Sequence, residues 1–163
     1  MSLAEQFESN NKSYVSTFTK GDLALPPAKK ALILVCMDAR IDPAKSLGFE
    51  EGDVHVVRNA GGRAKDALRS IIISQKLLGT REIIVIHHTD CGMLTFKDED
   101  LKSILLKDTG QQTDLQFLPF SDLHQSVKDD VEIIKSNPFV LDIPITGYIY
   151  DVKTGEINKV SSD

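Results

Sequence analysis

The distribution of apolar residues divides the chain into short extended runs and longer amphipathic ones. Residues 31–35 and 83–86 are brief β-branched apolar runs, too short for helices, and predict buried strands. The second of these strands takes in Glu82, and residues 53–57 and 145–151 read as two more. Between them lie segments of helical period. Residues 64–78 place Ala67, Leu68, Ile71, Ile72 and Leu78 on a wide apolar face, ended by Gly79. Residues 119–136 align Leu123, Val127, Val131 and Ile134 before Asn137-Pro138 breaks the pattern. A short helix is predicted after Asp42, with Pro43 at its first position and Gly48 at its stop. Another covers 97–107, followed by a polar loop around Gly110. Residues 3–18 have weak helical periodicity through Leu3, Phe7, Tyr14, Val15 and Phe18, interrupted by Ser9-Asn10-Asn11. They predict an N-terminal helical arm that needs something to pack on, joined by a connector through residue 30. At the other end, residues 153–156 turn the last strand back into a short final segment.

Alternating strands and helices predict a single α/β domain over residues 1–163, with a central mostly parallel β-sheet flanked by helices. A length of 163 residues is ample for one core, and 41% apolar with 26% charged residues is ordinary for a soluble globular chain. A net charge of −5 with no basic run argues against a nucleic-acid surface. No apolar run reaches the ~20 residues that span a bilayer, so no membrane partner is expected. Glu5 and Glu8 stand where an export signal would need an apolar core, so a cytoplasmic location is expected.

The only two cysteines, Cys36 and Cys91, fall at informative places. Cys36-Met37-Asp38-Ala39-Arg40 follows the first strand, and His88-Thr89-Asp90-Cys91 follows the third. Reactive groups of open α/β sheets gather beyond the carboxyl ends of the strands. If the two strands are neighbours, Cys36, His88 and Cys91 converge. Two thiolates and an imidazole form a three-ligand set suited to catalytic zinc, with a fourth position left for water. The residues alone also admit two buried free thiols, or a disulfide, which an expected reducing compartment disfavours. Other chemistries fail on spacing. Three residues separate Cys36 from Arg40, where a cysteine phosphatase cradle uses five; there is no C-x-x-C and no G-x-G-x-x-G.

The paired C-x-D-x-R and H-x-x-C motifs, with Arg58-Asn59-Ala60-Gly61-Gly62 between them, resemble the β-class carbonic anhydrases. The resemblance is to the short bacterial, archaeal and fungal branch and covers roughly residues 30 to 150. It implies one Zn2+ per chain on Cys36, His88 and Cys91, and a catalytic dyad of Asp38 and Arg40. The implied activity is reversible hydration of carbon dioxide to bicarbonate and a proton by hydroxide generated on zinc. Some family members close the site by turning the matching Asp onto the metal. The resemblance further implies an obligate homodimer or higher homo-oligomer, with the arm packed across the partner subunit. Two alternatives accompany it: a hydrolase of carbon disulfide or carbonyl sulfide on the same site, and a catalytically silent zinc-binding protein.

Around these residues, His87 should point away from His88 on a strand and serve as a core histidine. His55 and His124 are expected to be structural or on the surface. Gly61-Gly62 reads mainly as a turn, and Gly92 as support for the site. Val56, Met93 and residues 58–63 are candidates for the pocket wall.

Overall fold

In the computed structural model, residues 1–161 are described; residues 162 and 163 of the expected domain lie outside them. Helix α1 (Leu3–Val15) is followed by the connector and then strand β1 (Ala31–Cys36). Helix α2 (Pro43–Leu47) leads to β2 (Val54–Asn59), a 3₁₀ turn (Ala60–Gly62) and α3 (Ala64–Leu78). Strand β3 (Glu82–His88) ends in a loop and a second 3₁₀ turn (Gly92–Leu94). Then come α4 (Asp98–Thr109), α5 (Leu123–Lys135), β4 (Ile145–Tyr150) and β5 (Ile157–Val160).

The strands form one sheet in the order β2-β1-β3-β4-β5. The first three pairings are parallel, and β5 runs antiparallel at one edge. The expected mostly parallel α/β architecture is therefore present. Every residue of β1 is buried, which explains its unbroken apolar run: a central parallel strand has no solvent face. On one side of the sheet, Leu32, Leu34, Ile83 and Val85 pack with Ala67 and Ile71 of α3 and Val127 and Ile134 of α5. On the other, Ile33, Val35, Ile41 and Ile86 form a smaller cluster with Leu47, Phe49 and Tyr148.

Several boundaries differ from the sequence reading, among them the arm helix, which ends at Val15 rather than 18, and α4, which runs from Asp98 to Thr109. Helix α5 begins at Leu123 rather than 119, because Asp122 caps it by accepting the Gln125 N–H at 2.9 Å. Strand β3 continues through His87 and His88, which pair with Ile149 and Tyr150 of β4. Strand β2 continues to Asn59, opposite Cys36. Helix α1 carries a complete capping box between Ser2 and Glu5, yet none of its residues is buried. Among the described residues, no helix is long and apolar enough to cross a membrane.

Candidate active site

Strands β1 and β3 are parallel neighbours in register, with Val35 opposite Ile86. Cys36 and His88 therefore emerge at the same end of the sheet. Asp90 then takes a left-handed backbone (φ 54°), reversing the chain so that Cys91 returns towards them. One donor atom from each of Cys36, His88 and Cys91 lies within 4.8 Å of the other two, and all three residues are buried.

Hydrogen bonding around His88 tests whether this set suits a metal. Its Nδ1 lies 2.8 Å from the Thr89 carbonyl, which can only accept, so the ring proton of a neutral imidazole sits on Nδ1. Nε2 keeps its lone pair, is buried, and has no hydrogen-bond partner among the described residues. An orphaned buried acceptor beside two thiols is the arrangement that a thiophilic cation satisfies, with the Thr89 carbonyl setting the ring orientation. The residues fit zinc.

Protons compete for the same donors. The Cys36 thiol is pushed well below its ordinary value by the Cys91 thiol that donates to it, helped by His88 and by backbone N–H groups of Asp38 and Gly61. Cys91 is pushed up in turn, because the two sulfurs share one proton. Burial disfavours charge on His88, but the nearby Cys36 thiolate, the Thr89 carbonyl and Asp38 together outweigh this and raise the imidazole. A metal ion at this position would replace protons rather than enter a neutral cavity.

Beyond Cys36 the loop turns, with the Ile41 N–H donating to the Asp38 carbonyl at 3.1 Å. The Asp38–Arg40 pair forms within that turn. Arg40 donates from Nε to Asp38 Oδ1 at 3.0 Å and from Nη2 to Oδ2 at 2.8 Å, and its backbone N–H also reaches Oδ1. This fork holds the Asp38 carboxyl far below the usual carboxylate range. Arg40 also donates to the Asp90 carboxylate at 2.8 Å and to the Asp90 carbonyl at 3.0 Å, so it ties the two motif loops together. Asp38 Oδ2 lies 3.8 Å from His88 Nε2, which places the carboxylate beside the donor set.

Several contributors were not legible in advance. Arg58 donates to the carbonyls of Cys36 and Asp38 at 2.8–3.0 Å, holding the loop from the β2 side. The glycine pair does more than turn the chain. Gly61 donates its N–H to Cys36 Sγ at 3.3 Å. A Cβ on Gly62 would lie 3.0 Å from the Cys36 nitrogen and 3.1 Å from the Ile86 carbonyl oxygen. Gly92, expected to support the site, has open space where a Cβ would go. Met93 packs with Cys36, Cys91, Ala60 and Phe120, while Val56 is exposed opposite Ile33, short of the site. His87 faces away from His88 and is bonded to Ser126 and Asp130; His55 bonds Ser74, and His124 is exposed.

Fold and site together define an α/β protein with a Cys–His–Cys metal-binding constellation at the carboxyl ends of two adjacent parallel strands. The family model described as "Carbonic anhydrase" matches residues 31–157, and this chain belongs to that family. Beta-carbonic anhydrase 1 of Mycobacterium tuberculosis is 44% identical over 163 residues, covering 99% of each chain. A solved carbonic anhydrase from Glaciozyma antarctica superposes with a TM-score of 0.93 at 49% identity, covering 99% of this chain and 100% of its own. A carbon disulfide hydrolase from an Acidianus species is 34% identical over 161 residues, covering 83% of this chain and 79% of its own length.

Proposed function

We propose that this protein is a zinc-dependent carbonic anhydrase that interconverts carbon dioxide and water with bicarbonate and a proton. The observation that carries the reading is the donor set of Cys36, His88 and Cys91 within 4.8 Å, beside a forked Asp38–Arg40 pair. Those three residues would hold one zinc ion per chain. When bound, zinc would acidify a water molecule enough to supply hydroxide at neutral pH, as it does in carbonic anhydrase.

The chain's own residues supply orientation. Asp38, kept ionised by Arg40, accepts hydrogen bonds and donates none. An O–H of the attacking oxygen donates to it, which leaves a lone pair free for the carbon of carbon dioxide. Arg40, anchored at its far side to Asp90, restrains the carboxylate from swinging. Ala60, Met93 and Phe120 pack around the two sulfurs, an apolar surrounding that suits a small uncharged substrate.

Stopped-flow carbon dioxide hydration on protein of known zinc content, at neutral and alkaline pH, tests the reading. Activity at both is expected with Asp38 paired to Arg40. Full zinc occupancy with no hydration at either pH refutes it and moves the assignment to a silent zinc protein. The Acidianus relative supports a second reading, hydrolysis of carbon disulfide on the same site. Sulfide release measured beside carbon dioxide hydration separates the two.

The working unit in this proposal is a homodimer. Leu3, Phe7, Tyr14, Val15 and Phe18 of the arm are all exposed in the single chain and would be covered by a second copy. Removal of residues 1–18 should leave a monomer in sedimentation velocity; an unchanged dimer refutes the arm's role. Two thiols that must stay reduced to act as ligands suit a cytoplasmic location.

A further inference from the structure

We infer that Asp130 is a positioning residue for the metal centre, acting through His87 and Arg63; the inference rests on the zinc reading above. Asp130 lies on α5 and is completely buried. Its Oδ2 accepts from His87 Nε2 at 3.0 Å, and its Oδ1 forms an ion pair with Arg63 Nη2 at 3.3 Å. Ser126, one helical turn earlier on the same face, lies 2.8 Å from the other ring nitrogen of His87.

These partners occupy the two backbone segments that place the ligands. His87 immediately precedes His88 on β3, and fixing its ring fixes the strand end from which His88 projects in the opposite direction. Arg63 immediately follows Gly61-Gly62, the turn that donates to Cys36 Sγ and packs against the Cys36 nitrogen. One carboxylate thus clamps the β3 end to the glycine turn. Phe120 closes the assembly. It stacks on His87 with ring centroids 5.4 Å apart, lies 5.2 Å from the Arg63 guanidinium carbon, and packs on the Cys36, Cys91 and Met93 cluster.

Stability alone does not account for this arrangement. A buried charge pair can often be replaced by well-packed apolar residues without loss of stability. Arg63 moreover has Nε and Nη1 buried without hydrogen-bond partners among the described residues, a cost that an apolar residue would avoid. What the charged arrangement adds is a fixed placement of the ligand-bearing β3 end relative to the turn that packs on Cys36.

The test compares full-length wild type with Asp130→Asn, which is nearly isosteric. Zinc affinity is read by competition with a chromophoric chelator, and ligand geometry by the visible absorption of the cobalt-substituted protein. The metal-free melting temperature is recorded separately. Weakening of zinc binding by about 10–100-fold, with displaced cobalt bands and an unchanged far-UV spectrum, is expected. Unchanged zinc affinity and cobalt bands, whatever the melting temperature does, overturn the inference. If Asp130→Asn fails to fold, Arg63→Gln is read the same way: weakened zinc binding supports the clamp, and unaltered binding overturns it. Wild type that takes up no zinc overturns the metal reading itself, so the two failures are distinguishable.

Discussion

Replacing Gly62 with alanine measures how closely the glycine turn is pressed against the strand that ends in Cys36. Gly62 has φ +66°, where an L side chain costs about 1–2 kcal/mol. Its added Cβ would lie 3.0 Å from the Cys36 nitrogen, 3.1 Å from the Ile86 carbonyl oxygen and 3.1 Å from the Val35 carbonyl carbon. All three are backbone atoms of the two central strands, so no side chain can rotate away. Overpacking of this kind adds about 1–3 kcal/mol. The expected total is about 2–5 kcal/mol, and at about 2–4 °C per kcal/mol for a domain of this size it lowers the melting temperature by about 4–20 °C. Gly48→Ala is the control. Gly48 has φ +69° but no atom within 4 Å of its Cβ position, so it carries only the conformational part, about 2–8 °C. Thermal melts of both variants, metal-free and at one protein concentration, decide the matter. Equal melting temperatures would refute the close approach, and with it the claim that this turn holds Cys36 in place.

Cys36→Ser should lose zinc and activity together; full zinc occupancy at a normal rate, by elemental analysis and stopped flow, would exclude Cys36 as a ligand. Asp38→Ala should retain zinc but lower turnover by at least about tenfold, since only orientation is lost. Higher activity at neutral pH would instead make Asp38 a blocking group. The Asp38–Arg40 pair also predicts a pH signature. The folded-state carboxyl is lowered from an unfolded value near ~3.9, so the pair's stabilisation is complete above that value and is lost as pH falls towards the folded one. The stability penalty of Arg40→Gln in urea melts should therefore match at about pH 6 and about pH 8 and shrink only below about pH 4. A penalty that changes between the two higher values would show that another group controls the pair.

Much of the α/β frame was legible because β1 and β3 are short β-branched runs and α3 has an unambiguous apolar face. The candidate donor positions were legible for a different reason: the chain has only two cysteines, and each lies just past or at the end of such a run. What was not legible depends on contacts between distant segments. Nothing local in Arg58 says that it reaches the carbonyls of residues 36 and 38, twenty or more positions away. The partner of His87 is 43 residues downstream on α5, and the pairing appears only when α5 packs on the sheet. Local reading also misjudged the glycines. Gly61-Gly62 resembled any tight turn, since the strand it touches is 25 residues earlier, and Gly92 gained significance merely from standing beside Cys91.

The distribution of arginines follows from the chemistry of the donors. Two thiols, Asp38 and Asp90 concentrate acceptors at one end of two strands, and arginines cross-link the loops that carry them. Arg40 makes five hydrogen bonds to two segments when its backbone N–H is counted, joining the Asp38 carboxylate to both the carboxylate and the carbonyl of Asp90. Arg58 serves two carbonyls at once. A lysine has one ammonium and no fork, so it could neutralise Asp38 without fixing the plane of its carboxylate or reaching Asp90 with equal geometry. Position, more than charge, is what these guanidinium groups contribute. Arg40 is also half-exposed, where a simple ion pair would contribute little to stability, and its value lies in holding Asp38 Oδ2 at 3.8 Å from His88 Nε2.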